Sequence, residues 1–134
     1  LAGFLDADGC IGIKGINPPA VRIDFYNTDY KVIEWIHKKL YIQHNIEEQK
    51  YITKDDRKRD RQKRVCYRIG LTKKDKVISL LEILRPYLIR KQKQAELGIE
   101  FIKICNRRHN HRYTEHMHKQ LNKIYEKNKK LNGR

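Results

Sequence analysis

The chain has 134 residues, with 31 Lys+Arg against 16 Asp+Glu for a formal net charge of +15, and it is 39% hydrophobic and 35% charged. That length fits one domain at roughly 100–200 residues per domain, and the apolar share supports a packed core, which excludes wholesale disorder. No apolar run approaches the ~20 residues of a bilayer-spanning helix, which excludes a helical membrane span.

Leu1–Asp8 reads as a short apolar helix stopped at Gly9. Cys10–Lys14 and Val21–Asn27 read as strands joined around Gly15-Ile16-Asn17-Pro18-Pro19. In the second strand Val21, Ile23 and Phe25 alternate with Arg22, Asp24 and Tyr26, so one face is apolar and the other carries hydrogen-bonding groups. Thr28 is placed to cap a helix with Asp29 in its first turn, an apolar stripe of Val32, Ile33, Ile36 and Leu40, and Trp35 as core. Ile46–Ile52 is a weaker strand, and 54–63 (KDDRKRDRQK) holds no apolar residue and reads as a loop or hairpin tip. Val65, Tyr67, Ile69 and Leu71 alternate with Cys66, Arg68 and Gly70 in a fourth strand, with Tyr67 on the apolar side. Thr72 can cap the next helix, which turns Val77, Ile78, Leu81 and Leu84 inward and ends at Pro86. Leu88–Ile104 reads as a longer helix, and the tail from Thr114 as another, with Met117, Leu121 and Ile124 on one side.

This order predicts an α+β fold, a four-stranded antiparallel sheet with helices on one face and extra C-terminal helices. The expected division is a core over 1–105 and a basic helical extension over 106–134. The open face of the sheet would carry Lys14, Arg22, Asp24, Tyr26, Glu48, Lys50 and Arg68, donors and acceptors suited to base edges in a DNA major groove.

The positive charge is concentrated. Residues 50–74 carry a net +8, residues 101–134 another +8, and the remainder nets −1. Two basic segments on one domain point to a polyanion, and nucleic acid is the commonest. Neither pairs its charge with a long apolar helical face, which argues against a membrane surface. Arg57, Arg59 and Arg61 lie in the polar loop without apolar anchors, so their expected contacts are to phosphate. The three cysteines (Cys10, Cys66 and Cys105) are far apart and make no C-x-x-C pair. With no secretory signal at the N-terminus, an intracellular, reducing compartment is expected.

The N-terminal segment Leu1-Ala2-Gly3-Phe4-Leu5-Asp6-Ala7-Asp8-Gly9 matches the string LAGLIDADG at seven of nine positions, and the two changes exchange apolar residues. Gly3 and Ala7 stand four apart on one helical face, which permits closer approach of a second helix than the ~8–10 Å of ordinary packing. The two acids come at the helix C-terminus, where exposed negative charge is disfavoured by ~0.3–1 kcal/mol. A divalent cation with oxygen ligands gives such carboxylates a reason to be there.

Motif and element order together resemble the LAGLIDADG homing endonucleases, with their αββαββα fold, over about the first hundred residues. The resemblance implies a site-specific, intron-encoded double-strand DNA endonuclease using Mg²⁺ or Mn²⁺, and a motif helix that begins upstream of Leu1. A non-cleaving relative, an intron-splicing maturase that binds intron RNA or a DNA-binding repressor, is the competing reading. With one motif copy, the resemblance implies a homodimer on a near-palindromic site, with Ala2, Gly3, Asp6 and Ala7 at the interface. Asp8 falls on the metal-binding carboxylate, the Ala7 carbonyl on a neighbouring metal contact, and Lys91 on a basic residue near the scissile phosphate. Asp29 falls on a polar position near the attacking water, although an acid in a first helical turn needs no such role. His109, His111, His116 and His118 form a tempting set, but without a nearby cysteine pair the sequence argues against zinc.

Overall fold

The computed structural model describes residues 1–16, 19–44, 53–55, 66–108 and 112–133. In chain order these form helix α1 (Ala2–Asp8), strands β1 (Gly9–Ile16) and β2 (Pro19–Asn27), and helix α2 (Tyr30–His44). The three-residue strand β3 (Thr53–Asp55), strand β4 (Cys66–Leu71) and helix α3 (Lys74–Leu84) follow. A 3-10 turn (Arg85–Tyr87) leads to helices α4 (Gln92–Asn106) and α5 (Glu115–Leu131). The chain is a helix-rich mixture of both element types. The strand expected over 46–52 lies outside the described residues.

The sheet is antiparallel, with β2 between β1 and β4 and the short β3 paired to the far side of β4. Register follows from alternation. Ile11 pairs with Ile23 and Phe25 with Ile69, and these residues join Ile13, Val21 and Leu71 on one buried face. Onto that face α1 brings Leu5, α2 brings Ile33, Ile36 and Leu40, α3 brings Val77, Leu80, Leu81 and Leu84, and α4 brings Ala95, Ile99 and Ile102. Tyr67 completes the layer, its ring edge-on to Tyr30 at 5.3 Å. Helix α5 packs against α4 and β1, and its Leu121 and Ile124 enter the same core. The Asn128 and Asn132 side-chain amides both donate to the Ile11 carbonyl, at 3.4 and 3.1 Å. The C-terminal basic segment is therefore built onto the sheet.

Local chemistry explains where the elements depart from expectation. Trp35 is 50% exposed, with the Lys39 ammonium 5.5 Å from its ring centre, because the buried stripe of α2 runs through Ile33, Ile36 and Leu40 on the opposite side. Asp29, not Thr28, caps α2, since its Oδ1 accepts from the Lys31 amide at 2.9 Å. Helix α3 starts after Lys73 without a side-chain cap, so Thr72 plays no such part. In the long C-terminal helix the first turn is missing. Helix α4 begins at Gln92 rather than Leu88 because the amides of Ile89, Arg90 and Lys91 are bonded to a carboxylate elsewhere in the chain.

Helix α1 runs into β1 with no intervening loop, and this sharp junction explains Gly9. A Cβ there would lie 2.9 Å from both Leu5 Cα and Leu5 O and would overlap Leu5 Cδ1. Leu5 is fully buried and cannot yield cheaply. Gly9→Ala is expected to destabilise the fold by ~1–3 kcal/mol in urea titration. Gly12→Ala, where an added Cβ meets nothing within 4 Å, should stay within about 0.5 kcal/mol of the parent.

Candidate active site

The motif helix sorts its residues by face. Ala2, Leu5 and Asp6 are buried against the rest of the chain, whereas Gly3, Ala7 and Asp8 are exposed. Two of the four residues expected at a subunit contact, Ala2 and Asp6, thus point into their own protomer, because the α1 stripe that carries Leu5 carries them too. Gly3 and Ala7 remain on the open face. An added Cβ at Gly3 would meet nothing within 4 Å, so packing within the protomer does not require glycine there.

Asp6 is the organising residue. Its Oδ2 accepts from the Ile89 amide at 2.6 Å, and its Oδ1 accepts from the Arg90 and Lys91 amides at 3.1 and 2.9 Å. Burial alone would raise its pKa. The three amide donors and the nearby Lys91 charge outweigh that and hold it below the ordinary aspartate value of 3.8. The Lys91 ammonium in turn donates to the Asp6 carbonyl at 2.5 Å, a cation on the C-terminal end of α1 where the helix dipole favours one. Two segments 83 or more residues apart are thereby fastened together, and Lys91 is anchored two residues from Asp8.

Asp8 is the last residue of α1, and its carboxylate is exposed. Among the described residues no lysine or arginine is ion-paired with it. With the carbonyl of the neighbouring, likewise exposed Ala7 it makes a two-oxygen donor set at the end of α1. That set fits Mg²⁺, which takes one or two carboxylates, keeps several waters and completes its shell from phosphates. Among the described residues no three His, Cys, Asp or Glu side chains come together to hold a metal. A cavity of about 340 Å³ lies alongside, lined by Gly9, Cys10, Arg90, Lys91, Gln94, Leu131 and Asn132. Gln94 is 7% exposed, and its Oε1 has no hydrogen-bond partner among the described residues. Nothing in the hydrophobic periodicity marks this residue; only a glutamine at an inward helical position could have.

No family model matches the chain, and no curated protein matches it by sequence. Solved structures do. The homing endonuclease I-CvuI, in complex with the I-CreI target and Mg with the DNA not cleaved, superposes with a TM-score of 0.70 at 21% identity, over 97% of this chain and 78% of that one. The LAGLIDADG meganuclease I-AabMI bound to uncleaved DNA gives 0.64 at 19%, over 92% of this chain and 42% of that one. An archaeal intron-encoded homing endonuclease complexed with DNA gives 0.68 at 15%, over 97% and 80%. The chain has the LAGLIDADG homing endonuclease fold. At these identities the likeness is one of fold, and the roles of individual residues rest on the geometry of this chain.

In this LAGLIDADG fold the sheet face away from the helices carries Lys14, Arg22, Asp24, Tyr26 and Arg68, as alternation predicts. Lys14 is exposed, and Tyr26 and Arg68 are register partners. Asp24 is 7% exposed, and its Oδ1 accepts from Arg22 Nε at 2.6 Å. It is engaged within the chain rather than presented outward. Asp29, expected near an attacking water, stands at the start of α2 in its capping role. Glu48, Lys50, Arg57, Arg59, Arg61, His109 and His111 lie outside the described residues. His116 and His118 sit in the first turn of α5, exposed, with His118 against the Tyr113 ring at 5.7 Å.

Proposed function

We propose that this chain is a LAGLIDADG endonuclease that cleaves both strands of a near-palindromic DNA site as a homodimer. The observation that carries the reading is the convergence at one end of the motif helix: an exposed Asp8, without an ion-pair partner among the described residues, near a Lys91 locked in place through Asp6. A carboxylate without a structural partner at a helix C-terminus is electrostatically uncomfortable, and such discomfort is commonly kept for function. The net charge of +15 and the polar sheet face supply the surface for DNA.

Asp8 and the Ala7 carbonyl would hold Mg²⁺ or Mn²⁺. When bound, such an ion activates water and stabilises charge on the phosphoryl oxygens. Lys91 brings a second, protein-borne positive charge to the same place, aimed by the Asp6 carbonyl, where charge develops on the scissile phosphate. Asp6 positions Lys91 and does not itself touch DNA. Asp29 is assigned to capping α2.

Two such centres are needed for two strands, and the exposed Gly3 and Ala7 give a second copy a surface for close helix contact. The structural relative I-AabMI, of whose chain this one covers 42%, is long enough to hold more than one such unit. Gly3→Leu is expected to shift the dimer towards monomer in sedimentation while leaving the thermal midpoint of the protomer unchanged, because that face is open in the protomer. A parent chain that is monomeric both alone and on DNA would refute the homodimer.

The direct test is incubation of the chain with a randomised duplex library in Mg²⁺, with an EDTA control. Recovery of paired ends from one sequence, only with metal, supports the reading. Sequence-specific retention of uncut duplex in Mg²⁺ would assign the chain to the non-cleaving class instead.

A further inference from the structure

Arg22 and Asp24 are two residues apart on β2 and therefore on the same, outer face of the sheet. Their ion pair is short, Nε to Oδ1 at 2.6 Å, and the side chains are only 14% and 10% exposed. An ion pair so desolvated contributes little net stability compared with an apolar pair of similar volume. The neighbouring strands make room for it. The register partner of Asp24 on β4 is Gly70, and that of Arg22 on β1 is Gly12. A Cβ at Gly70 would overlap Arg22 Nη2 and stand 3.0 Å from Arg22 Cζ and 2.8 Å from Asp24 Oδ1. The guanidinium thus lies across the backbone of β4 in a space that only glycine leaves. At Gly12 an added Cβ would meet nothing within 4 Å, so the other flank of Arg22 is open.

Resting on the reading of this sheet face as the DNA surface, we propose that Arg22 reads a guanine in each half-site, with Asp24 as its positioning residue and Gly70 as its seat. The pair takes up Nε and leaves the Nη1–Nη2 fork as the reading edge. Two parallel donors match the O6 and N7 acceptors of guanine. Adenine sets its N6 donor against one of them, and neither pyrimidine offers two adjacent acceptors in the major groove. Asp24 fixes the guanidinium before DNA arrives, which lowers the ordering entropy lost on binding. Its Oδ1 is then committed to Arg22, which turns the residue towards positioning and away from accepting from a cytosine amino group, the role its residue type and strand position would otherwise suggest.

The experiment is selection of duplexes from a random pool by the full chain in Ca²⁺, followed by competition binding of single-base variants of the consensus. The consensus should hold guanine at one fixed position of each half-site. Arg22→Ala should lower discrimination at that position roughly ten-fold or more and leave the other positions unaltered. Asp24→Ala and Gly70→Ala should act at the same position, and Asp24→Ala should add nothing there once Arg22 is alanine. Arg22→Lys keeps the charge and guards against loss of folding; it should retain overall affinity with a reduced guanine preference, because an ammonium reaches O6 and N7 without the fixed fork. A consensus whose base preferences survive all four substitutions, or variants that weaken every sequence equally, would overturn the proposal while leaving a DNA-binding protein. A pool that never converges overturns the endonuclease reading, and this one with it.

Discussion

Asp8→Asn is expected to slow DNA cleavage at least about a hundred-fold, or ~2.7 kcal/mol of barrier, with little change in DNA affinity. The substitution removes the charged oxygen donor exposed at the end of α1, and with it the proposed hold on a divalent ion. It touches neither the Asp6 bonds that build the site nor the sheet face proposed to meet the bases. Folding stability should hold or rise slightly, since a carboxylate is being removed from a helix C-terminus. Single-turnover cleavage, filter binding and urea denaturation of the same preparation separate these quantities. A variant that loses cleavage and stability together would make Asp8 a structural residue.

The second large effect belongs to Asp6 and falls on stability. Asp6→Asn places an amide NH₂ among three backbone N–H donors that now share one ionised carboxylate. Charge-assisted hydrogen bonds contribute ~1.5–3 kcal/mol each and an unpaired buried donor costs ~1–3 kcal/mol, so a loss of about 3 kcal/mol is expected. The parent chain should show the same dependence in its pH profile. The folded-state pKa of Asp6 lies below 3.8, so the unfolded chain binds the proton more readily. The stabilisation is complete above that value and is lost as pH falls below it towards the folded-state pKa. Denaturation curves for parent and Asp6→Asn should therefore converge as pH drops from 5 towards 3. Parallel curves across that window would show that the carboxylate charge is not what holds the 89–91 segment.

Much of this fold is legible in the sequence. Period-two alternation placed Arg22, Asp24, Tyr26 and Arg68 on one face because a strand has only two sides. The motif located Asp8, and the Pro86 break separated α3 from α4. What sequence could not carry were bonds between distant segments. Asp6 sits on a helical face with Leu5, but only the return of residues 89–91 reveals it as an acceptor for three amides, and the same bonds delay the start of α4. Asp24 illustrates the converse case. Alternation assigns its face correctly yet is silent on whether its oxygen looks outward or to Arg22, because that depends on the empty side of Gly70 one strand away. Trp35 departs from its expected place for a simpler reason: its residue type suggests core, while its helical phase, opposite Ile33, Ile36 and Leu40, points it to solvent.

The paired amides of Asn128 and Asn132 on the Ile11 carbonyl bear on how this protein behaves in a crowded solution. Strand β1 is the outermost strand on its side, and an outermost strand is a template on which a foreign strand can grow. Here the acceptor at its middle is already doubly occupied by a helix lying along it. Helix α5 therefore acts as a guard rail against strand addition. A chain cut short before Glu115 would lose more than the apolar contacts of Leu121 and Ile124: it would offer neighbouring molecules an open, regular ladder of unmade bonds, the starting point for aggregation.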